Sequence, residues 1–496
     1  MPTDPLRRAI NATLMPGFEG PVLPGWLAAE LADGLGSVCL FGTNIVDPVQ
    51  VRALTDAVHA ANPAALVATD EEGGDVTRLH HRQGSPYPAM AYLGRVDDEQ
   101  LTEQVGAGIG AELRAAGIDL DLAPDADVNS NPRNPVIGVR SFGTDAALVA
   151  RHVCAYTRGL QGAGVGAVVK HFPGHGDTAT DSHRALPTIG VDADTLGTRE
   201  LVPFAAAVRA GTLAVMTSHI LVPAIDPDLP ATLSAPVLAL LRERLGFTGA
   251  IVSDALDMAG ASAGRGIPEA AVLALAAGVD LLCIGTDNTA EQLAEIRAAV
   301  VRAVADGRLP EQRLFEAAGR VAALGQAVAR SRQARPTEPT TGPGQAQPAE
   351  PLSLTAAGFA TSRPIDPVHA PVLLRLDSPA NIAAGPTVWG LGEHLRQQLD
   401  AALPGCTLLT VQTPGDLDAA LAAATGRPLV VQGRDLARVP FLVAAAQTVR
   451  SRRPDAVLVE LGWPDPATAT SPDLVTFGSG SGQMLCLIEL LHRGTR

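Results

Sequence analysis

The chain has 496 residues, of which 46% are hydrophobic, 18% are charged and 3% are aromatic. This composition excludes a largely disordered protein, and the length predicts two or more domains. The formal net charge of -15 argues against nucleic acid and anionic membrane surfaces as partners.

The first residues and the cysteines bear on the cellular compartment. Residues 1–8 lack the sustained apolar core of a signal peptide, and no later stretch is apolar for long enough to span a bilayer. Cys39 and Cys283 lie in apolar runs, where a cysteine is typically a small buried hydrophobic residue. These features predict a cytoplasmic protein without a membrane partner.

From Ala12 to Gln326, short apolar runs alternate with longer helical patterns such as Pro48–Ala61 and Glu99–Ala116. Strands followed by helices predict a parallel sheet closed into a (β/α)8 TIM-like barrel. A doubly wound open sheet is the alternative, but its Gly-rich dinucleotide turn is missing, since Gly162–Gly166 precedes a strand. The predicted strands are Ala12–Met15, Ser37–Phe41, Ala65–Thr69, Ile118–Leu122, Gly166–Val169, Leu213–Met216, Ala250–Ser253 and Asp280–Ile284.

The later part of the chain predicts a second domain. Residues 331–352 contain five prolines among polar residues, a composition typical of a linker. Beyond them, apolar runs separated by helical patterns indicate a smaller α/β sandwich domain. We therefore predict a catalytic barrel at 1–330, a linker at 331–352 and a sandwich domain at 353–496. The predicted strands of this domain are Pro371–Leu376, Thr387–Leu391, Thr407–Val411, Pro428–Gln432 and Ala456–Leu461.

Ionisable residues follow four of the predicted barrel strands. They are Asp70 after the third strand, Lys170 and His171 after the fifth, His219 after the sixth and Asp254 after the seventh. The active sites of such barrels lie at the carboxyl ends of the strands. The sequence therefore predicts a catalytic or binding site at this end of the barrel.

The segment 170–183 carries three His, two Asp and one Lys in Gly-rich backbone, so it cannot be buried as core. A metal site formed by His171, His175, Asp181 and His183 is one interpretation, but no helix follows a tight ligand pair here. An ordinary solvated loop is the second. Catalysis is the interpretation that we favour, with His183 as the proton carrier and Asp181 as its orienting carboxylate.

The fourteen residues 170–183 resemble the signature of the β-N-acetylhexosaminidases of glycoside hydrolase family 3, K-H-F-P-G-H-G-x-x-x-x-D-S-H, at every fixed position. Ser253–Met258 resembles the nucleophile motif S-D-x-L-x-M of that family, which implies that Asp254 is the nucleophile. The alternative for Asp254 is a helix N-cap after the strand. The resemblance also implies an acid and base dyad of Asp181 and His183.

Two further segments resemble sugar-binding patterns of the family. Residues 70–78 resemble D-x-E-G-G-R-V-x-R, with Asp75 where an Arg is usual, and residues 136–142 supply Arg140. An Asp–Arg structural pair at the barrel rim and an Arg140 clamp on the backbone are the alternatives. The predicted substrate-binding residues are Asp70, Arg78, Arg140, Lys170, His171 and His219.

The resemblance implies a retaining exo-β-N-acetylglucosaminidase, an enzyme of carbohydrate metabolism or cell-wall recycling, acting on oligosaccharides with a terminal β-linked N-acetylglucosamine. We expect no cofactor and no metal. Phosphorolysis is an alternative, because a histidine repels an incoming phosphate less than a carboxylate would. A non-catalytic sugar-binding module is disfavoured by the intact candidate residues. Since all of them precede the linker, a chain ending near Arg335 is expected to keep its chemistry.

Overall fold

The computed structural model describes residues 4–178, 186–334, 354–378, 383–467 and 471–495. Its contacts divide the chain into two compact units. The barrel unit comprises Met1–Glu71, Glu99–Ser130 and Thr144–Glu350, and the second unit comprises Glu72–Asp98, Asn131–Gly143 and Pro351–Arg496. Most of the predicted linker lies outside the described residues, so the predicted domain limits stay a prediction.

The barrel unit is built on eight parallel strands, β1 to β8, which confirms the predicted (β/α)8 barrel. Strands β2 to β7 follow one another in a single sheet, and β1 pairs with β8. A bridge between Val252 and Leu281 joins β7 to the start of β8. The strands are Leu14–Pro16 (β1), Ser37–Leu40 (β2), Leu66–Thr69 (β3), Leu120–Asp121 (β4), Gly166–Phe172 (β5), Ala214–Thr217 (β6), Ala250–Val252 (β7) and Leu282–Gly285 (β8).

Aliphatic and sulfur-containing side chains fill the barrel, as the low aromatic content requires. Met15, Cys39, Ala68, Ala214 and Cys283 belong to one buried apolar cluster. Close packing of such side chains holds the strand ends in fixed positions. The site residues that follow the strands therefore start from a rigid frame.

Local sequence signals explain several helix ends of the barrel unit. The helix Pro48–Ala61 begins with Asp47 accepting from the Gln50 amide, and Ala146–Ala163 ends at Gly164 with a positive φ of 90°. Two helical stretches contain π-helical turns, at Leu196–Glu200 and Leu240–Arg244. The α-helices are Pro5–Ala12, Gly25–Ala32, Pro48–Ala61, Glu99–Ala115, Ala146–Ala163, Ala193–Thr195, Leu201–Arg209, Ala235–Ala239, Ala259–Ser262, Ile267–Ala277, Ala290–Ala305 and Glu311–Ala334.

The second unit contains a six-stranded sheet, which confirms the predicted α/β domain. Its order is β9-β14-β13-β12-β10-β11, and the pair β9–β14 is antiparallel while the other pairs are parallel. The strands are Ala360–Thr361 (β9), Val372–Leu376 (β10), Thr407–Val411 (β11), Leu429–Gly433 (β12), Val457–Glu460 (β13) and Leu474–Val475 (β14), and the α-helices are Met90–Val96, Arg396–Ala402, Pro414–Ala423, Pro440–Arg452 and Ser481–Arg493.

One predicted strand of this domain is wrong, and two short strands of its six-stranded sheet were missed. Residues 387–391 form no strand, because Gly390 takes a φ of +67° and the Trp389 ring lies under the Arg375 and Arg434 guanidinium groups. Strands β9 and β14 have only two residues each, too short for an alternating pattern to reveal.

The segments 72–98 and 131–143 precede the predicted linker, yet they pack with the C-terminal residues in the second unit. The Tyr92 hydroxyl donates to the Thr355 carbonyl at 2.6 Å, and the Gln483 side chain accepts from the Ala89 amide at 3.0 Å. The second unit is therefore assembled from three separate parts of the chain. Among the described residues, none of the helices is both long and apolar enough to cross a membrane.

Candidate active site

The barrel unit holds five of the predicted site residues at the carboxyl ends of its strands. Asp70 follows β3, Lys170 and His171 lie in the last part of β5, and His219 and Asp254 follow β6 and β7. The predicted binding residues Arg78 and Arg140 belong to the second unit. Asp181 and His183 lie outside the described residues.

Asp254 lies two residues beyond the end of β7, and its side chain is partly exposed. One carboxylate oxygen, Oδ1, accepts from the Ala255 amide at 2.8 Å. The next helix begins only at Ala259 and has Met258 as its N-cap, so the structure does not use Asp254 as a helix cap. The exposed Asp257 carboxylate is held by the amide and hydroxyl of Thr286 instead.

Lys170 and Asp70 form an ion pair between β5 and the end of β3. The distance from Lys170 Nζ to Asp70 Oδ1 is 2.8 Å, and the Lys170 side chain is only 2% exposed. Beside this pair lies Asp121, whose Oδ1 accepts from the Glu71 amide at 2.9 Å. Burial raises the pKa of Asp121 well above its usual range, and the Glu71 and Asp70 carboxylates add to the rise against the opposing effects of Lys170 and the Glu71 amide. Burial therefore favours the protonated, uncharged form of Asp121.

His171 is oriented by a buried carboxylate that follows β4. Its Nδ1 lies 2.8 Å from Asp127 Oδ2, while Asp127 Oδ1 accepts from the His175 amide at 2.6 Å. Burial alone would raise the pKa of Asp127, but the two imidazoles and the His175 amide hold it below its ordinary value. Asp127 is thus ionised and fixes both His171 and the turn that contains His175.

The signature segment packs closely against its surroundings in its described part. A Cβ atom at Gly176 would lie 1.8 Å from the Val128 carbonyl oxygen, and one at Gly174 would lie 2.7 Å from Glu200 Oε2. The side chain of Asp177 accepts from Arg199 at 2.9 Å, and Arg199 also donates to Glu200 at 2.6 Å. The glycines are therefore required for close packing here.

His219 is fully buried, and both of its ring nitrogens contact protein atoms. Nδ1 lies 3.0 Å from Thr232 Oγ1, and Nε2 lies 2.9 Å from the Ala255 carbonyl oxygen. The ring therefore contacts the residue that follows Asp254. Its predicted role in binding sugar stays a prediction.

Within the second unit, both arginines have protein partners. Arg140 makes two hydrogen bonds of 2.8 Å to the Glu72 carboxylate and one of 3.3 Å to the Val136 carbonyl. Arg78 donates to the carbonyls of Ala383 and Ala384 at 2.9 and 3.0 Å. Glu72 was not predicted as the partner of Arg140, although it is the Glu of the D-x-E-G-G pattern that residues 70–78 resemble.

Asp75, which stands where the family pattern has an Arg, is an acceptor in the second unit. Its Oδ1 accepts from the Ser479 amide at 2.8 Å and from the Ser479 hydroxyl at 2.7 Å. Arg434 lies 3.7 Å from its other oxygen. Asp75 therefore fastens residues 72–98 to the C-terminal part of the same unit.

A set of possible metal ligands lies in the barrel unit. Asp125, Asp127 and His171 each offer a ligand atom within 4.8 Å of the others. Asp127 already accepts from the His171 ring and from two amides, so Asp127 and His171 hold together without an ion. Of the four residues weighed as metal ligands from sequence, two lie outside the described residues. The expectation of no metal and no cofactor stays a prediction.

The buried carboxyl groups near this site that sequence reasoning missed include Asp121, Asp127 and Glu200. Asp121 lies in the fourth strand, and Asp127 follows it. The rule that site residues lie at the carboxyl ends of strands, which we applied to four other strands, could have singled them out. Glu200 lies within a helical pattern, and nothing in its spacing distinguishes it from a surface glutamate.

Comparison with known proteins gives the family. Residues 27–324 match the description "Glycosyl hydrolase family 3 N terminal domain". The chain is 35% identical over 316 residues, 58% of its length, to beta-hexosaminidase A of Pseudoalteromonas piscicida, and it spans about half (53%) of that relative's length.

Two of the solved structures that are similar to this chain illustrate the match. A family 3 β-N-acetylglucosaminidase from Paenibacillus sp. str. FPU-7 is 31% identical with a TM-score of 0.88, and 99% of this chain and 98% of that one are covered. NagZ from Neisseria gonorrhoeae, in complex with N-trifluoroacetyl-D-glucosamine, is 33% identical with a TM-score of 0.54 over 65% of this chain and 93% of that one. The matched family covers more than half of the chain, and the chain belongs to glycoside hydrolase family 3.

Proposed function

We propose that this chain is a retaining exo-β-N-acetylglucosaminidase. The observation that carries the proposal is the partly exposed Asp254 carboxylate at the end of β7, in a barrel that also presents Lys170 and Asp70 at the ends of its strands. The names of its relatives, and the N-acylglucosamine analogue bound to the Neisseria protein, support the choice of sugar.

In the proposed first step, a carboxylate oxygen of Asp254 forms a bond to C1 of the sugar as the bond from C1 to the leaving oxygen breaks. His183 gives its proton to that oxygen. In the second step, His183 takes a proton from water, the water oxygen attacks C1, and the bond to Asp254 breaks. The β configuration is restored after two inversions.

The remaining residues have supporting roles in this proposal. Lys170 and Asp70 bind sugar hydroxyls, and His171 forms a hydrogen bond to a sugar hydroxyl through Nε2, the ring nitrogen opposite the one that contacts Asp127. Asp181 orients His183, and Arg78 and Arg140 complete the predicted binding set. The substrate is an oligosaccharide or glycoside that ends in β-linked N-acetylglucosamine.

The test is turnover of 4-nitrophenyl N-acetyl-β-glucosaminide, with the product anomer followed by NMR. We expect the β anomer to form first, and Asp254→Asn to lose several orders of magnitude in kcat. Asp257→Asn is the matched control, expected to stay within about tenfold, because that carboxylate is held by Thr286. An inactive wild-type enzyme, or an α product, would refute the proposal. Sugar 1-phosphate formed in phosphate buffer would identify the phosphorolytic alternative.

A further inference from the structure

A buried chain of hydrogen bonds leads from β6 to the carboxylate of Asp254. Thr217 Oγ1 lies 2.7 Å from Thr232 Oγ1, which lies 3.0 Å from His219 Nδ1. His219 Nε2 lies 2.9 Å from the Ala255 carbonyl oxygen, and the Ala255 amide donates to Asp254 Oδ1 at 2.8 Å. The side chains of Thr217, Thr232 and His219 are fully buried.

The partners of the imidazole determine its tautomer. A carbonyl oxygen can only accept, so His219 Nε2 carries a proton and donates to Ala255. Nδ1 lies beside the Thr232 hydroxyl, which donates to the Ser218 carbonyl at 2.9 Å and also contacts the Thr217 hydroxyl. Every polar atom of this chain is satisfied by protein, and the ring has a single orientation.

His219 restrains the loop that carries Asp254 at the carbonyl group of Ala255. On one side the Ser253 amide donates to the Leu281 carbonyl, and on the other the Leu256 amide donates to the Cys283 carbonyl, each at 2.9 Å. Both contacts tie the loop to β8 and the residue before it. His219 adds a restraint from the opposite neighbour, β6, at the Ala255–Leu256 peptide, which adjoins the peptide whose amide contacts the carboxylate.

We infer that His219 is a positioning residue for Asp254, acting through the Ala255 peptide instead of binding sugar. By holding the Ala255 carbonyl, the imidazole fixes the Ala255–Leu256 peptide, and through the Ala255 backbone it restrains the adjoining Asp254–Ala255 peptide, whose amide donates to Asp254 Oδ1 and limits the rotation of the carboxylate. An attacking oxygen displaced by about 1 Å can lower a reaction rate about 100-fold. The inference rests on the proposed role of Asp254 as nucleophile.

Substitution of His219 by Gln or by Asn distinguishes the contributions of its two ring nitrogens. In His219→Gln the side-chain NH2 can reach the position of Nε2 and donate to Ala255, whereas His219→Asn reaches only the position of Nδ1. We expect kcat/KM for the 2,4-dinitrophenyl glycoside, which reports attack by Asp254, to fall about 10- to 100-fold in His219→Asn. His219→Gln should recover about tenfold of that loss. The inhibition constant for N-acetylglucosamine should stay within about twofold of wild type in both variants.

The opposite pattern would overturn the inference. A sugar-binding His219 would weaken inhibition by N-acetylglucosamine and leave the two amide variants equally impaired. Thermal unfolding of both variants identifies a simple loss of folding, because unequal activity in two variants of equal stability cannot come from global destabilisation.

A readout that needs no turnover keeps the inference separate from the proposed function. We expect the 13C-carboxyl resonance of Asp254, assigned with Asp254→Asn, to titrate at higher pH in His219→Asn than in wild type, because a lost amide donor destabilises the carboxylate. His219→Gln should titrate near wild type. The Asp257 carboxylate and the Cys283 thiol also contribute to the electrostatics around Asp254, and both are unchanged in all three proteins. An unshifted titration would refute the inference, whereas an inactive wild-type enzyme with the expected shift would refute only the proposed function.

Discussion

Glu200 is a fully buried carboxyl group that packs under the signature segment. Its Oε1 accepts from Arg199 at 2.6 Å, and among the described residues no group donates to Oε2. Burial raises the pKa of Glu200 to about 7, and the charges of Asp127 and Asp177 add to the rise although Arg199 opposes it. Replacing Glu200 by Gln keeps the shape and removes the charge.

The sign and size of the effect follow from linkage between protonation and folding. The folded pKa of about 7 lies above the ordinary value of 4.5, so folding favours the protonated form. The stability of the wild type therefore falls as the pH rises from below 4.5 through 7, and it levels off above that range. At 1.36 kcal/mol per pKa unit the full loss is about 3 kcal/mol, of which about 1 kcal/mol has been lost at pH 5.

The assay is urea unfolding of wild type and Glu200→Gln at pH 5 and pH 8.5. We compare the free energy of unfolding of the variant with that of wild type at each pH. This difference should favour the variant by up to about 2 kcal/mol more at pH 8.5 than at pH 5. Glu243→Gln is the control, because Glu243 is exposed on a neighbouring π-helical turn and should show no such difference. An effect of equal size at both pH values would refute the reasoning, since it would leave no role for ionisation of Glu200.

Three other predictions concern packing, charge and domain structure. Gly176→Ala should destabilise the protein by about 3 kcal/mol because its Cβ would collide with the Val128 carbonyl, whereas Gly190→Ala, with nothing within 4 Å, should be neutral in thermal unfolding. Lys170→Met should lower the free energy of unfolding by about 3 kcal/mol and abolish turnover, and adding Asp70→Asn should restore stability without activity, because the double variant buries no unpaired charge. A chain of residues 1–334 should aggregate on gel filtration, because residues 72–98 and 131–143 would lose their partners in the second unit; a soluble, active fragment would contradict this.

The barrel could be predicted from sequence because each strand is a short apolar run of β-forming residues with a helix after it. All eight predicted strands overlap an observed strand. Domain assembly could not be predicted in the same way. Residues 72–98 and 131–143 leave the barrel unit through contacts such as Asp75–Ser479, and a pairing across 404 residues leaves no local pattern. The expectation that a chain ending near Arg335 keeps its chemistry ignored these contacts.

For the site, the strand-end rule and the resemblance together located Asp70, Lys170, His171 and Asp254 in the barrel unit. They could not tell which polar residues face a substrate and which hold another residue in place, because that depends on burial and on hydrogen-bond partners. His219 illustrates the difference, since its ring is buried between Thr232 and Ala255. Asp127 and Glu200 were missed because their importance comes from burial beside other charged groups.

The central claim is that Asp254 forms a covalent bond to the sugar. The most direct measurement uses His183→Ala mixed with the 2,4-dinitrophenyl glycoside of N-acetylglucosamine, which needs no acid to depart but leaves an intermediate without a base to activate water. We expect a burst of dinitrophenolate, a protein heavier by one N-acetylglucosaminyl group, and a label that peptide mapping places on Asp254. Added azide should release the label as the β-glycosyl azide. A label on another residue, or slow dinitrophenolate release without any labelled protein, would contradict the claim.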